Sequence, residues 1–193
     1  MLNKLRPLIA RYINLILQKI DVNPNIITLI GLVLSFFAVL LSVMKFVSMV
    51  PLLIVFSSIA DVLDGAVARA KNRVTPWGSI LDSFCDRIEE FNYLLSLIIL
   101  GVKPLLAYFA MFISFLISYL RTLGEKRGIR VEGIGILERG ERVILVFISA
   151  LAIAFSEDYG ISIANIIMLL IILLGIVTII QRLYHIFKEL RNL

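Results

Sequence analysis

The 193-residue chain is 60% hydrophobic and 17% charged, with a mean hydropathy of +1.00 and a formal net charge of +5. A soluble domain of this length cannot cover so much apolar side chain with a polar surface, so the composition excludes a soluble protein and points to a membrane one. The single cysteine, Cys85, excludes an internal disulfide framework and a cysteine-based zinc cluster.

Residues 2–20, LNKLRPLIARYINLILQKI, repeat apolar side chains at helical spacing with Lys4, Arg11 and Lys19 off the stripe. The pattern predicts an amphipathic helix lying in the membrane interface over residues 1–21. VNPNIIT at 22–28 then breaks the chain, because Pro24 disfavours helix at Asn23 and is itself tolerated in a first turn. The apolar run that follows is not a signal peptide, since a basic amphipathic stretch precedes it and no small-residue cleavage site follows it. A span needs about 20 apolar residues. Long apolar runs fall at 25–44, at 46–60 leading into a polar motif, at 91–102 as the tail of a helix begun near 79, and at 104–120, 143–155 and 162–180. The expected fold is an all-α integral membrane protein: six transmembrane helices over 22–193 behind the interfacial helix, in a single domain over 1–193. No internal repeat or low-complexity segment interrupts it, and its longest polar connection is 124–141.

Six spans put the connections alternately on two sides, and the basic residues divide 17 against 2, with only Lys45 and Lys103 on the poorer side. The rich side is then cytoplasmic, with both termini and the polar motif facing it, in a multi-pass cell-membrane protein.

That motif is DVLDGAVARAKNRVTPWGSILDSFCD, residues 61–86. Asp61 and Asp64 are three apart and Asp82 and Asp86 four apart, so each pair shares a face of its helix. A short loop makes the two helices antiparallel neighbours, which lets the two faces meet. One ionised carboxylate at mid-membrane costs roughly 2.5–3.5 kcal/mol even on the lenient insertion scale, and Arg69 and Arg87 do not neutralise four. An all-oxygen cluster suits a hard cation, Mg²⁺ or Mn²⁺, better than zinc or copper. The plainer alternative is a set of carboxylates at a wet helix end, where they cost little.

Read as a string, the segment is Asp61-x2-Asp64-Gly65-x2-Ala68-Arg69-x8-Gly78-x3-Asp82-x3-Asp86. It resembles the signature of the CDP-alcohol phosphotransferase family at all eight fixed positions, over 26 residues with every gap matched. The six-helix layout and the amphipathic N-terminal segment extend the resemblance to nearly the whole chain. It implies an enzyme that displaces CMP from a CDP-linked alcohol, usually a lipid, with the hydroxyl of a second alcohol. By that resemblance Asp61, Asp64 and Asp82 would hold two Mg²⁺ or Mn²⁺ ions, and Asp86 would be the fourth ligand, the general base, or both. CDP would meet Asp61, Asp64, Gly65, Ala68, Arg69, Gly78 and Asp82, together with Asn25 and Thr28. A carboxylate base also follows from the residues themselves, because the one histidine, His185, lies in the C-terminal tail. The resemblance further implies a homodimer among membrane lipid, with no nucleic-acid partner.

The motif does not name the acceptor. SYLRTLGEKRG at 118–128 and ILERGERVIL at 136–145 bring Arg121, Arg139 and Arg142 to helix ends, with Arg182 at the end of the last span. Convergent arginines hold phosphate by bidentate contacts, which favours an acceptor carrying its own phosphate over serine or ethanolamine. Both segments resemble the S-Y-x-[K/R]…E-R-x-E-R pattern of the branch that makes phosphatidylinositol phosphate or archaetidylinositol phosphate. Thr122-Leu123-Gly124 departs from the Ala-Arg-Ala usual there. The expected donor is a CDP-linked diacyl or diether lipid and the expected acceptor inositol 1-phosphate, ahead of glycerol 3-phosphate or of CDP-inositol as donor. The positive-inside rule alone also deposits arginines here. A divalent-cation transporter is the reading from a different class, but it wants carboxylates in mid-span and access from both faces.

Overall fold

The computed structural model describes residues 22–191. Within them lie six helices and no strand: α1 (Pro24–Val43), α2 (Val50–Ala70), α3 (Pro76–Ile99), α4 (Pro104–Lys126), α5 (Arg139–Phe155) and α6 (Glu157–Arg191). A single 3₁₀ turn, Val47–Met49, leads into α2. The expected interfacial helix over 1–21 lies outside the described residues.

The helix starts are written in the sequence. Pro24, Pro51, Pro76 and Pro104 each sit in a first turn, where a missing N–H costs nothing. Asn23 Oδ1 accepts from Asn25 N at 3.1 Å and Thr75 Oγ1 from Gly78 N at 3.0 Å, satisfying N–H groups that the helices cannot. α5 starts four residues ahead of its apolar run, where Glu141 Oε2 accepts the Glu138 N–H at 3.0 Å. α6 continues past the apolar run 162–180 at both ends, because helical periodicity persists beyond the stretch that is purely apolar.

Four helical stretches are long and apolar enough to cross a membrane: Pro24–Val43, Val47–Ala70, Pro104–Lys126 and Glu157–Arg191. The chain is thus a multi-pass membrane protein. α3 carries Asp82, Asp86, Arg87, Glu89 and Glu90, and α5 has 17 residues, so these two are less clearly spans by composition and length.

Two three-helix groups make the bundle. α1 packs chiefly on α2 and α3, and α6 on α5 and α4, while α2 against α5 and α3 against α4 join the groups. Small residues permit the close packing: the buried stripe of α1 is Thr28, Gly31, Ser35, Ala38 and Ser42, at alternating spacings of three and four. At Gly160 a Cβ would lie 2.3 Å from the Ala152 carbonyl oxygen, so only glycine lets α6 start directly against α5. The apolar core runs from Ala38 and Ile54 through Leu97 to Ala150 and Met168. Outward faces are apolar too, with Phe36, Phe56, Phe112 and Ile166 exposed, as suits a lipid surround.

Candidate active site

The site forms where the C-terminal half of α2 and the N-terminal half of α3 meet the first turns of α1 and α5. A cavity of about 370 Å³ opens there. Eight of the nine residues expected around CDP line it: Asn25, Thr28, Asp64, Gly65, Ala68, Arg69, Gly78 and Asp82. Asp61 does not. Thr28 donates to Asp64 Oδ2, tying α1 to α2 at the cavity wall. A Cβ on Gly78 would stand 3.2 Å from Asn25 Oδ1, so the glycine leaves the opening between α1 and α3 unfilled. Arg69 folds back over Gly65, where a Cβ would lie 3.0 Å from its Nη1.

Asp61 and Asp86 face a different group. Arg139, from the first turn of α5, gives Nη2 to Asp61 Oδ2 at 2.7 Å and sets Nη1 2.8 Å from Asp86 Oδ1. Its Nη2 also meets Glu89 Oε2 at 3.1 Å. The four aspartates therefore divide by depth. Asp64 and Asp82 are nearer the α2–α3 loop and open to the cavity; Asp61 and Asp86 are a turn deeper and paired with arginine.

Glu89 was not among the expected site residues. It is 0% exposed, and with Asp61 and Asp86 it presents oxygens all within 4.8 Å of one another. Its signal was available in the spacing, since 82, 86, 89 and 93 continue one helical face from the two motif aspartates to Tyr93. Arg73, Thr75 and Ser79 also line the cavity from the linker between the fixed motif positions. Gly31 makes room at the base, because a Cβ there would lie 3.1 Å from both Asp61 Oδ1 and Glu89 Oε1.

The donor set fits a hard divalent cation. Asp86 Oδ1 is buried with its ion pair to Arg139 but no well-directed hydrogen bond, and Asp64 and Asp82 turn carboxylates toward the open cavity. Buried carboxylate oxygens left short of donors are the chemistry an oxygen-seeking ion completes.

The four arginines expected at an acceptor phosphate do not converge. Arg139 alone among them makes an ion pair with the aspartates. Arg142, 1% exposed, makes a bidentate pair with buried Glu90, Nε–Oε1 2.6 Å and Nη2–Oε2 3.1 Å. One helical turn carries it past the site to a carboxylate that takes both its donors. Arg182, 2% exposed, donates to the carbonyls of Ile134 (2.9 Å) and Ile117 (2.6 Å) and to Glu138 Oε1 (3.1 Å). It clamps the 127–138 connection against α4 and α6. Arg121 is half exposed and pairs with Glu125 at 2.7 Å.

The profile of the CDP-alcohol phosphatidyltransferase family matches residues 21–179. The chain belongs to that family. It is 38% identical to an archaetidylinositol phosphate synthase of Aeropyrum pernix over 98% of this chain and 93% of the relative. The corresponding protein of Methanothermobacter thermautotrophicus is 32% identical, over 99% and 96% of the two chains. Among solved structures, the Mycobacterium tuberculosis phosphatidylinositol phosphate synthase with CDP-DAG bound superposes with a TM-score of 0.78 at 26% identity, covering 92% of this chain and 94% of that one. The same enzyme in complex with manganese and citrate gives a TM-score of 0.75 at 28% identity, over 93% and 87%.

Proposed function

We propose that the protein joins inositol 1-phosphate to the phospholipid moiety of a CDP-linked diacyl or diether lipid and releases CMP. The observation that carries this is a cavity lined by eight signature and flanking residues, set directly beside a deeper carboxylate layer that holds Arg139. CDP would occupy the outer layer, where Asn25, Thr28, Gly65, Ala68, Arg69 and Gly78 line an open cavity. Two Mg²⁺ or Mn²⁺ ions held by Asp61, Asp64, Asp82 and Asp86 would offset the charge on the diphosphate and the departing CMP. The acceptor hydroxyl gives its proton to Asp86, and its oxygen bonds to the phosphorus that carries the lipid as the bond from that phosphorus to CMP breaks. Attack in line leaves no covalent enzyme intermediate; Ser79 and Ser83 have no base partner in the sequence pattern.

Arg139 is the candidate for the acceptor phosphate, being the cation that bridges Asp61 and Asp86, whereas Arg87 meets Asp86 alone of the aspartates, at 3.4 Å. The likeness to archaetidylinositol and phosphatidylinositol phosphate synthases over nearly the whole chain supports inositol phosphate as that acceptor. We further read all six helices as spans of one domain in the cell membrane, with 1–21 as the interfacial helix. In this arrangement the active site is cytoplasmic: Lys45 and Lys103 are at the end of the bundle opposite the site, and the other described basic residues are toward the site end. Homodimerisation rests on family resemblance.

The test is CMP release by purified protein with Mg²⁺ and a CDP-lipid, comparing inositol 1-phosphate, glycerol 3-phosphate, serine and no acceptor. Release that requires inositol 1-phosphate is expected. Release with glycerol 3-phosphate alone would keep the chemistry and discard the acceptor. No release with any acceptor would turn the test to CDP-inositol as donor, and then to the transporter, which predicts Mg²⁺ uptake by protein-containing vesicles without any CDP-substrate.

A further inference from the structure

Glu89 occupies no position of the family signature, yet it is the most completely buried carboxylate at the site, at 0% exposure. Its Oε2 shares one guanidinium nitrogen of Arg139 with Asp61, at 3.1 Å against 2.7 Å. Behind it stands the Tyr93 hydroxyl, 3.4 Å away, which donates to Ser57 Oγ at 2.7 Å. Ser57 in turn donates to the Gly31 carbonyl at 2.7 Å, so this chain of donors anchors the Tyr93 ring across α3, α2 and α1, and Tyr93 walls Glu89 in by packing.

Arg139 leans on three carboxylates, and two of them, Asp61 and Asp86, are those the functional reading gives to metal. A divalent cation and a guanidinium compete for the same oxygens. A guanidinium losing both would have no carboxylate to hold it in a low-dielectric pocket and would withdraw toward water. Glu89 is the third, outside the metal motif and walled in by Tyr93, with its Oε1 turned toward Gly31. We propose that Glu89 is a positioning residue: it keeps the Arg139 guanidinium at the acceptor side of the site when a cation takes up Asp61 and Asp86. The inference rests on the functional reading above, and it adds Glu89 to the groups that set affinity for the phosphorylated acceptor.

The experiment measures Glu89→Gln, Glu89→Ala, Arg139→Gln and the Glu89→Gln/Arg139→Gln double variant beside the wild type, using whichever phosphorylated alcohol the wild type accepts. Three quantities are read: acceptor KM, CDP-lipid KM, and the Mn²⁺ half-saturation from the paramagnetic resonance of free Mn²⁺, which needs no turnover. Loss of a charge-assisted contact to Arg139 is expected to raise acceptor KM about tenfold in Glu89→Gln and further in Glu89→Ala. CDP-lipid KM and the Mn²⁺ half-saturation should stay within about twofold, as for a group that touches neither. In the Arg139→Gln background, Glu89→Gln should add nothing. A Mn²⁺ half-saturation moved as far as the acceptor KM would make Glu89 a metal ligand and overturn the proposal. Parallel loss of all three parameters would make it a folding residue, and additive effects in the double variant would remove Arg139 as its route. Normal kinetics in Glu89→Gln beside an active wild type would sink this proposal alone; a wild type inactive with every phosphorylated acceptor would sink the functional reading and this one with it.

Discussion

The two layers of the aspartate motif differ more than their shared signature suggests. Asp64 and Asp82 look into an open cavity, and Asp64 is held by the neutral hydroxyl of Thr28. Asp61 and Asp86 meet Arg139, with a fifth carboxylate beneath. Antiparallel geometry produces the division. α2 runs toward the connecting loop and α3 away from it, so Asp64 pairs in depth with Asp82, and Asp61 with Asp86 about one turn lower. Two spacings of three and four residues thus yield two chemically distinct floors: an outer one with space for a nucleotide, and an inner one where three carboxylates share one guanidinium.

Breaking the inner layer should have the largest effect. Asp86→Asn keeps size and polarity but cannot take a proton, and turnover should fall by about 10²–10⁴, the range of a lost general base. CDP-lipid binding and Mn²⁺ retention, measured separately, should survive; near-normal turnover would remove Asp86 as base. Next comes the support of α5. Arg142→Ala leaves buried Glu90 with only the longer contact to Arg87 at 3.6 Å, and the protein should lose about 3 kcal/mol in an unfolding titration, because the bidentate partner of a buried pair has gone. The double change Arg142→Met with Glu90→Met should recover part of that loss, since it removes both buried charges of the pair while Arg87 keeps Asp86 at 3.4 Å.

Gly31→Ala sharpens the contrast between the floors at smaller cost. Its methyl would crowd Asp61 and Glu89 at 3.1 Å, and overpacking of about 1–3 kcal/mol should appear as weaker Mn²⁺ retention with little change in CDP-lipid KM. Thr28→Val touches only the outer floor. It removes the hydroxyl that holds Asp64 and should raise CDP-lipid KM about fivefold, for a bond worth about 1 kcal/mol, while acceptor KM stays put. If Thr28→Val moved acceptor KM instead, the two layers would not be separate binding regions.

Much of this was legible without coordinates. Proline and capping residues marked where helices begin, apolar runs marked their lengths, and three- and four-residue spacings set the carboxylates on facing helix sides, since each is a local consequence of backbone geometry. The arginines were not legible in the same way. Arg139, Arg142 and Arg182 look alike as cations near helix ends, yet one meets the aspartates, one is consumed by Glu90, and one clamps a loop by its carbonyls. Glu89 shared a helical face with the motif, but Glu90, four residues after Asp86, continues the same spacing equally well and points instead to Arg142. The sequence by itself determined the helices, the membrane character and the aspartate pairs, because those follow from periodicity and composition along one chain segment. Only the tertiary structure decided which cation meets which carboxylate, because those partners lie 50 or more residues apart and are chosen by how α5 and α6 pack against α2, α3 and α4.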